Sequence, residues 1–512
     1  MRAPAAIPVL VACAIATPAL AQRPASRADS ALVARILLAE DQRDSASAAF
    51  AEGARHADER IRLIARRSEA RVRDPRFAAR DSMPAPVAPP PYPDPAWRLR
   101  IRALAAARND CAALRRALAD SEWPVRLRAA DLVGPGCGGD AAIVERLYTW
   151  AATLPIRGAR ARRGVSWHAA AHALVALARV APGEARALLP PAAASAIPWL
   201  RAYAARAAGA LADTATLRRL ATDPDDNVKE AAIDALSRVA GHAADDAYLA
   251  ALSARGYQAV RAAARALQGS PRGPDVTEAA LAAALRLRRD SSETSRDARR
   301  ALLERIGEFA TAAGGARLVS LVADFDCDVA LAAAEIAARL GALTEPSCTP
   351  LPITLPPHAV ALALGREVRL RITLADSSGG GAFTVRLRGD VAPIMAARVL
   401  ALARAGWYDG LTWHRVEPDF VLQGGGTGAN EYLGHPRFIR DELGTLAHPR
   451  GTVGMSTRGH DTGDAQWFIN LRDNPRLRGD YTVFAEVVEG IDVVDGVLEG
   501  DVIARVDVLP GN

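Results

Sequence analysis

The stretch that decides the fold runs from Trp413 to Phe484. It reads WHRVEPDFVLQGGGTG at 413–428, GTVGMSTRGHDTGDAQWFI at 451–469 and LRGDYTVF at 477–484. An arginine follows a histidine directly, glycine-rich turns recur, and apolar or aromatic side chains stand between polar ones. Short β-rich segments bounded by glycine read as strands joined by tight turns. Taken as one strand, Trp413-His414-Arg415-Val416 alternates faces, which predicts Trp413 and Arg415 on one side and His414 on the other.

Several motifs in this order and spacing resemble the cyclophilin family of peptidyl-prolyl isomerases, over roughly Val368 to Leu509. The resemblance implies an eight-stranded closed β-barrel with two flanking helices. It also implies that Phe420, Val421, Phe468 and Leu477 line a proline pocket that Tyr481 closes. Gln423 and Gln466 match the family's polar residues, which hold the arginine and the substrate backbone; Ser456 and Thr457 match the segment that bonds the peptide main chain. Three positions depart from the family's pattern. Arg476 replaces a frequent aromatic, which implies weaker cyclosporin binding; Thr457 stands where many members carry Asn, and Gly426 where many carry Asp.

The chemistry follows from the residue types. Rotation about an X–Pro bond meets a barrier of roughly 18–20 kcal/mol because the amide is resonance-stabilised. An apolar slot for the pyrrolidine ring and a fixed cationic donor near the prolyl nitrogen favour the twisted transition state over the planar ground state. Arg415 is the expected donor, since a guanidinium stays charged at any working pH, and Gln423 is expected to act with it. This reaction needs no cofactor, metal or nucleophile. A hydrolase is disfavoured: Ser456 has no neighbouring His–carboxylate arrangement, and its turn is not a nucleophile elbow. Two alternatives stay open, a catalytically idle peptide-binding module and an assembly scaffold that the barrel merely stabilises.

Upstream the text changes. The chain has 512 residues, half of them hydrophobic, enough for several domains. Net charge is +6, almost all the cations are Arg, and they are interleaved with Asp and Glu. That pattern is no nucleic-acid footprint. Residues 1–21 look like a secretory leader: Arg2, an apolar run from Ala3 to Ala16, and a small-residue site before Gln22. The run is too short to span a bilayer, so no membrane span is expected, and the mature protein is expected in a bacterial periplasm. A lipoprotein site at Cys13 is the competing reading.

Residues 22–82 read as a helical segment and 83–95 as a proline-rich linker, a spacer or a ligand for a proline-binding module. Residues 96–342 look repetitive. Similar helix openings begin near Leu200, Val228 and Val260, at steps of roughly 28 and 32 residues, a helical-repeat period. This resembles short HEAT-type repeats, so the expected architecture is an all-α repeat solenoid followed by the barrel. A stack of this kind leaves a curved face that usually binds a partner; Arg201, Lys229 and Arg261 could line it or be ordinary surface charges. His168 and His172, spaced i, i+4, could chelate a metal, though no third ligand stands nearby. Cys111, Cys137, Cys327 and Cys348 allow three pairings, most simply in sequence order, or four free thiols. A second proline-rich linker, 343–358, precedes the domain 359–512. The expected partners are proline-containing polypeptides, with a possible protein partner on the repeat face.

Overall fold

The computed structural model describes residues 25–74, 91–153, 167–311, 316–342 and 345–510. The leader-like text, Cys13 and most of the first proline-rich stretch lie outside the described residues.

The C-terminal domain is one antiparallel sheet of eight strands: β1 Val368–Leu374, β2 Ala382–Leu387, β3 Arg415–Val416, β4 Val421–Gly424, β5 Thr452–Met455, β6 Trp467–Asn470, β7 Val483–Glu489 and β8 Ile503–Pro510. They lie in the order β3-β4-β6-β5-β7-β2-β1-β8. The two-residue period of β1 puts Val368, Leu370, Ile372 and Leu374 inside and leaves Arg371 outside. Ile372 faces Phe383 across the opening hairpin. The sheet curls until the segment before β3 meets the start of β8: Thr412 bridges Val502, and residues 410–413 exchange four backbone hydrogen bonds with 500–503. Closure thus runs through this short segment rather than through a full β3–β8 ladder. Trp413 and Trp467 meet edge to face inside, with centroids 5.1 Å apart. Helix Pro393–Arg404 buries Met395, Val399 and Leu402 against the barrel, and a short helix, Ile491–Asp495, flanks it on another side.

That same core takes in three helices from the far end of the chain, Arg27–Asp41, Ala48–Ala54 and Glu59–Arg73. Leu32, Val33, Ile36 and Leu37 form one helical stripe, and it packs in the cluster that holds Leu362, Met395 and Val399. A buried arginine pins the junction. Arg71 donates to Glu40 Oε1 at 3.0 Å and to the carbonyls of Leu443 and Val391 at 2.6 and 2.8 Å.

Between these parts, the described residues of 96–339 are mostly helical and share one continuous core. Helices Trp167–Val180, Pro198–Ala210, Asp226–Ala240, Tyr257–Ala266, Arg296–Phe309 and Cys327–Arg339 pack each on the next. Alanine sets this spacing: Ala204, Ala205, Ala208, Ala232 and Ala235 are fully buried, and small side chains let neighbouring helix axes approach closely. Aspartates cap several openings, as Asp225 does for Asn227 and Val228. Two disulfides, Cys111–Cys137 and Cys327–Cys348, staple this region.

The helical stack curves around the barrel. Asn227 donates to the carbonyl of Gly428 at 2.9 Å, Phe438 N–H donates to Glu293 at 2.7 Å, and Arg458 pairs with Asp297 at 2.6 Å. Of the three basic residues placed on the repeat face, Arg261 lies over the Tyr432 ring of the barrel, whereas Arg201 and Lys229 pair with the local Asp223 and Asp226. Much of the curved face is thus covered by the chain's own C-terminal domain. His168 and His172 do not converge on a third ligand. His168 donates from Nε2 to the carbonyl of Glu499, and His172 bonds Asp131 and the Tyr203 hydroxyl.

Candidate active site

On the outer surface of the sheet, β4, β6 and the turns after them build a small apolar hollow separate from both large cores. It consists of Val421, Phe468 and Leu477, with the half-buried Phe420 and Tyr481 packed against them. Strand alternation explains two members. Val421 opens β4 opposite Asn470, and Phe468 lies across the sheet from Gln423. The turn Pro475–Leu477 then drops Leu477 in beside them, and Tyr481 meets the Phe468 ring edge to face at 5.5 Å. Gly454 lies behind Phe468, and a Cβ there would overlap the phenyl ring.

Arg415 sits at the rim. It pairs across the ladder with Gln423, donates to Gln423 Oε1 at 3.4 Å, and its guanidinium lies 6.0 Å from the Phe420 ring centroid. Gln423 in turn donates to Ser456 Oγ at 2.9 Å. This chain of contacts fixes the guanidinium beside the hollow. Two carboxylates also hold it, Glu417 at 2.5 Å and Glu431 at 3.1 Å. Arg476 covers the same Phe420 ring, 4.3 Å from its centroid, so a cation caps the hollow at that position.

The expected alternation fails at one point. Trp413 is fully buried in the barrel interior, whereas Arg415 is 38% exposed and lines an interdomain cavity together with His414. The strand only begins at Arg415. Residues 412 and 413 bond instead to the returning segment at 500–502, so the pleat does not run through 413–416.

Gln466 is placed differently from Gln423. It donates to the carbonyl of Glu431 at 3.1 Å, which presents the Glu431 side chain to Arg415, and it does not bond Arg415 itself. Thr457 is half-buried, and its hydroxyl makes no hydrogen bond among the described residues. Gly426 has a steric reason: a Cβ would come within 2.7 Å of the Asn430 carbonyl and 3.1 Å of Gln466. The loop after β4 folds back on itself there and leaves no room for a side chain.

One residue behind the hollow carried no signal in the sequence. His448 stacks on Phe468 with centroids 5.9 Å apart. Its Nε2 donates to the Tyr481 carbonyl at 3.2 Å, and its Nδ1 accepts from Asn470 at 3.2 Å. Burial pushes this ring down to about 4, so it is neutral at pH 7 and braces both aromatic walls. Tyr481 is pushed up, chiefly by burial, and keeps its proton. Glu431 was equally illegible, since only folding brings its carboxylate to Arg415, whereas Glu417 is a neighbour two positions along the chain. Among the described residues no group of three or more His, Cys, Asp or Glu is placed to hold a metal ion, and no helix is long and apolar enough to cross a membrane.

The arrangement can seat a small apolar ring and hold a permanent cation donor at its edge. Comparison with known proteins places it. The sequence pattern of the family described as cyclophilin type peptidyl-prolyl cis-trans isomerase/CLD matches residues 370–508. Peptidyl-prolyl cis-trans isomerase B of Bacillus subtilis is 38% identical over 132 residues, 25% of this chain and 92% of that protein. A peptidyl-prolyl cis-trans isomerase of Helicobacter pylori is 38% identical over 120 residues, 22% of this chain and 73% of that one. A peptidyl-prolyl cis-trans isomerase-like 2 protein of Cryptococcus neoformans is 38% identical over 138 residues, and there the chain spans only 23% of the relative's length. Through its C-terminal barrel, this chain belongs to the cyclophilin type peptidyl-prolyl cis-trans isomerase family.

Proposed function

We propose that the barrel isomerises X–Pro bonds in polypeptide substrates, with Arg415 as the catalytic donor. The observation that carries the reading is the Arg415 guanidinium, fixed by Gln423 at the edge of the Phe420/Val421/Phe468/Leu477/Tyr481 hollow. The pyrrolidine ring occupies the hollow, and the guanidinium meets the prolyl nitrogen as it pyramidalises. A donor there stabilises the twisted amide more than the planar one, which lowers the barrier without covalent chemistry. Gln423 keeps the guanidinium in place, while Ser456, Thr457 and Gln466 flank the path of the substrate backbone.

The substrates are exported proteins in this reading, and the enzyme acts in a bacterial periplasm. The leader-like text at 1–21 and the two disulfides of the helical region support it, since disulfides persist in oxidising compartments. The HEAT-like region serves as a scaffold that positions clients or a partner at the barrel.

A second reading is a binding module without turnover. The carboxylates of Glu417 and Glu431 on Arg415 favour it, because they compete with a substrate for the guanidinium. A protease-coupled or NMR exchange assay of the full chain on an Ala-Pro tetrapeptide separates the two. Acceleration of cis–trans exchange supports the isomerase; peptide binding without acceleration supports the module.

A further inference from the structure

Arg415 and Phe420 also line a second space. A cavity of 540 Å³ opens between the barrel and the helical region, walled on one side by residues 414–420, Glu431 and Glu499. The other wall is helical: Ile101 and Arg102, then Leu127 and Arg128, then His172, Tyr203 and Arg206. A neighbouring cavity of 400 Å³ shares Tyr203, Arg206, His414 and Glu499 with it. The two form one elongated cleft that starts at the proline hollow and follows the domain boundary.

Most carboxylates in the first part of this cleft are already engaged. Asp131 bonds His172 at 2.6 Å, Asp419 pairs with Arg102 at 2.6 Å, and Glu499 accepts from the Tyr203 hydroxyl at 2.7 Å. Glu417 and Glu431 hold Arg415. The uncommitted cation is Arg128, which makes no hydrogen bond or ion pair among the described residues. Arg206 instead packs on the Tyr203 ring at 4.4 Å, and against the cost of burial Tyr203, Glu499 and Asp131 hold its guanidinium above its ordinary value. The neighbouring cavity adds Glu230 and Asp234. His414 is 6% exposed, lines both cavities, and neither of its ring nitrogens makes a full hydrogen bond, the Thr412 backbone lending only a weak contact. A buried imidazole left in this state is costly unless a ligand completes it.

Resting on the isomerase reading, we propose that this cleft is an extended substrate subsite. It takes the segment flanking the proline as an extended chain whose carbonyls meet His414 and whose acidic side chains meet Arg128. An extended peptide suits the space: it offers main-chain acceptors at regular intervals, and the apolar Ile101, Leu127 and Phe420 seat its alternate side chains. The helical region then selects substrates by what lies beyond the proline, a role the barrel alone does not supply.

The test compares an Ala-Pro tetrapeptide with two twelve-residue peptides sharing that centre, one with three glutamates before it and one with three after it. All are measured on the full chain, with fluorescence anisotropy read beside turnover. In the wild type one long peptide exceeds the tetrapeptide in kcat/KM by about tenfold, as one charge-assisted contact gives. Arg128→Glu brings that ratio close to one, Arg128→Lys keeps most of it, and lysines in place of the glutamates reverse the ranking between wild type and Arg128→Glu. Equal kcat/KM for long and short peptides, or a ratio indifferent to Arg128→Glu, overturns the subsite. Should no peptide be turned over, anisotropy decides separately: binding of a long peptide that Arg128→Glu abolishes retains the cleft and removes the isomerase reading, and binding indifferent to it removes the cleft.

Discussion

Acid sensitivity of the hollow offers a quantitative prediction. His448 is held at about 4 by burial, against an ordinary value of 6.5. The folded state therefore binds this proton less readily than the unfolded chain, so the stability tied to His448 is fully present above pH 6.5. It falls as pH drops from 6.5 toward 4, because the unfolded chain takes up the proton first. At pH 4 the accumulated loss is about 3 kcal/mol, from a shift of about 2.5 pH units at about 1.4 kcal/mol each, less the half-protonation of the folded ring. The ring stacks on Phe468 and bonds the Tyr481 carbonyl, so the two walls of the hollow loosen with it. The informative perturbation is His448→Gln. Glutamine can donate to Tyr481 and accept from Asn470 but does not titrate in this range. Urea unfolding of both proteins at pH 7, 5.5 and 4 should show the wild type losing about 3 kcal/mol more than the variant between pH 7 and 4. His168 and His414, also held near 4 by burial, add the same slope to both proteins and cancel in the difference. A difference that stays flat across this range refutes the assignment of a buried neutral His448.

Three further outcomes follow from particular contacts. Gly454→Ala drives a methyl into the Phe468 ring; it should cost about 1–3 kcal/mol in unfolding experiments and lower kcat/KM on a prolyl tetrapeptide about tenfold or more by displacing the pocket floor. Arg71→Leu strips the partner from the buried Glu40 and frees two buried carbonyls, so urea unfolding should register a loss of about 3–5 kcal/mol; a loss under about 1 kcal/mol would show that the N-terminal helices do not brace the barrel. Reducing Cys111–Cys137 and Cys327–Cys348, which close segments of 26 and 21 residues, should lower the stability of the helical region by about 3 kcal/mol per bridge, read as a drop in the midpoint of helical circular dichroism.

The hollow was legible because its members stand at fixed strand and turn offsets. Phe420, Val421, Phe468, Leu477 and Tyr481 meet in one cluster, and local geometry with a few cross-strand pairs suffices to bring them together. The helical stack was legible in its period, and alanine at the seams accounts for its close spacing. What escaped the sequence depends on contacts between distant segments. The face assigned to Trp413 was wrong because the pleat is interrupted by the closing bridge to Val502, a contact 90 residues away. The docking of helices 27–73 on the barrel rests on a stripe of ordinary leucines and isoleucines that names no partner. Glu431 reaches Arg415 because the loop after β4 folds back on Gly426 and is held by Gln466 and by Asn227 of the helical region. No local pattern encodes that return. The curved face of the helical stack was read as a possible partner surface, and the barrel covers much of it, with Arg261 over Tyr432 and Asn227 bonded to Gly428.

A fixed guanidinium at the rim of the hollow should stabilise a twisted prolyl amide. The decisive measurement is steady-state isomerisation of an Ala-Pro tetrapeptide by the full chain, wild type beside Arg415→Ala, with peptide affinity measured in parallel. Loss of this transition-state donor should lower kcat by about two to three orders of magnitude, while peptide affinity changes about threefold or less. Equal kcat in the two proteins, or a loss of affinity that accounts for the whole decline, would contradict it.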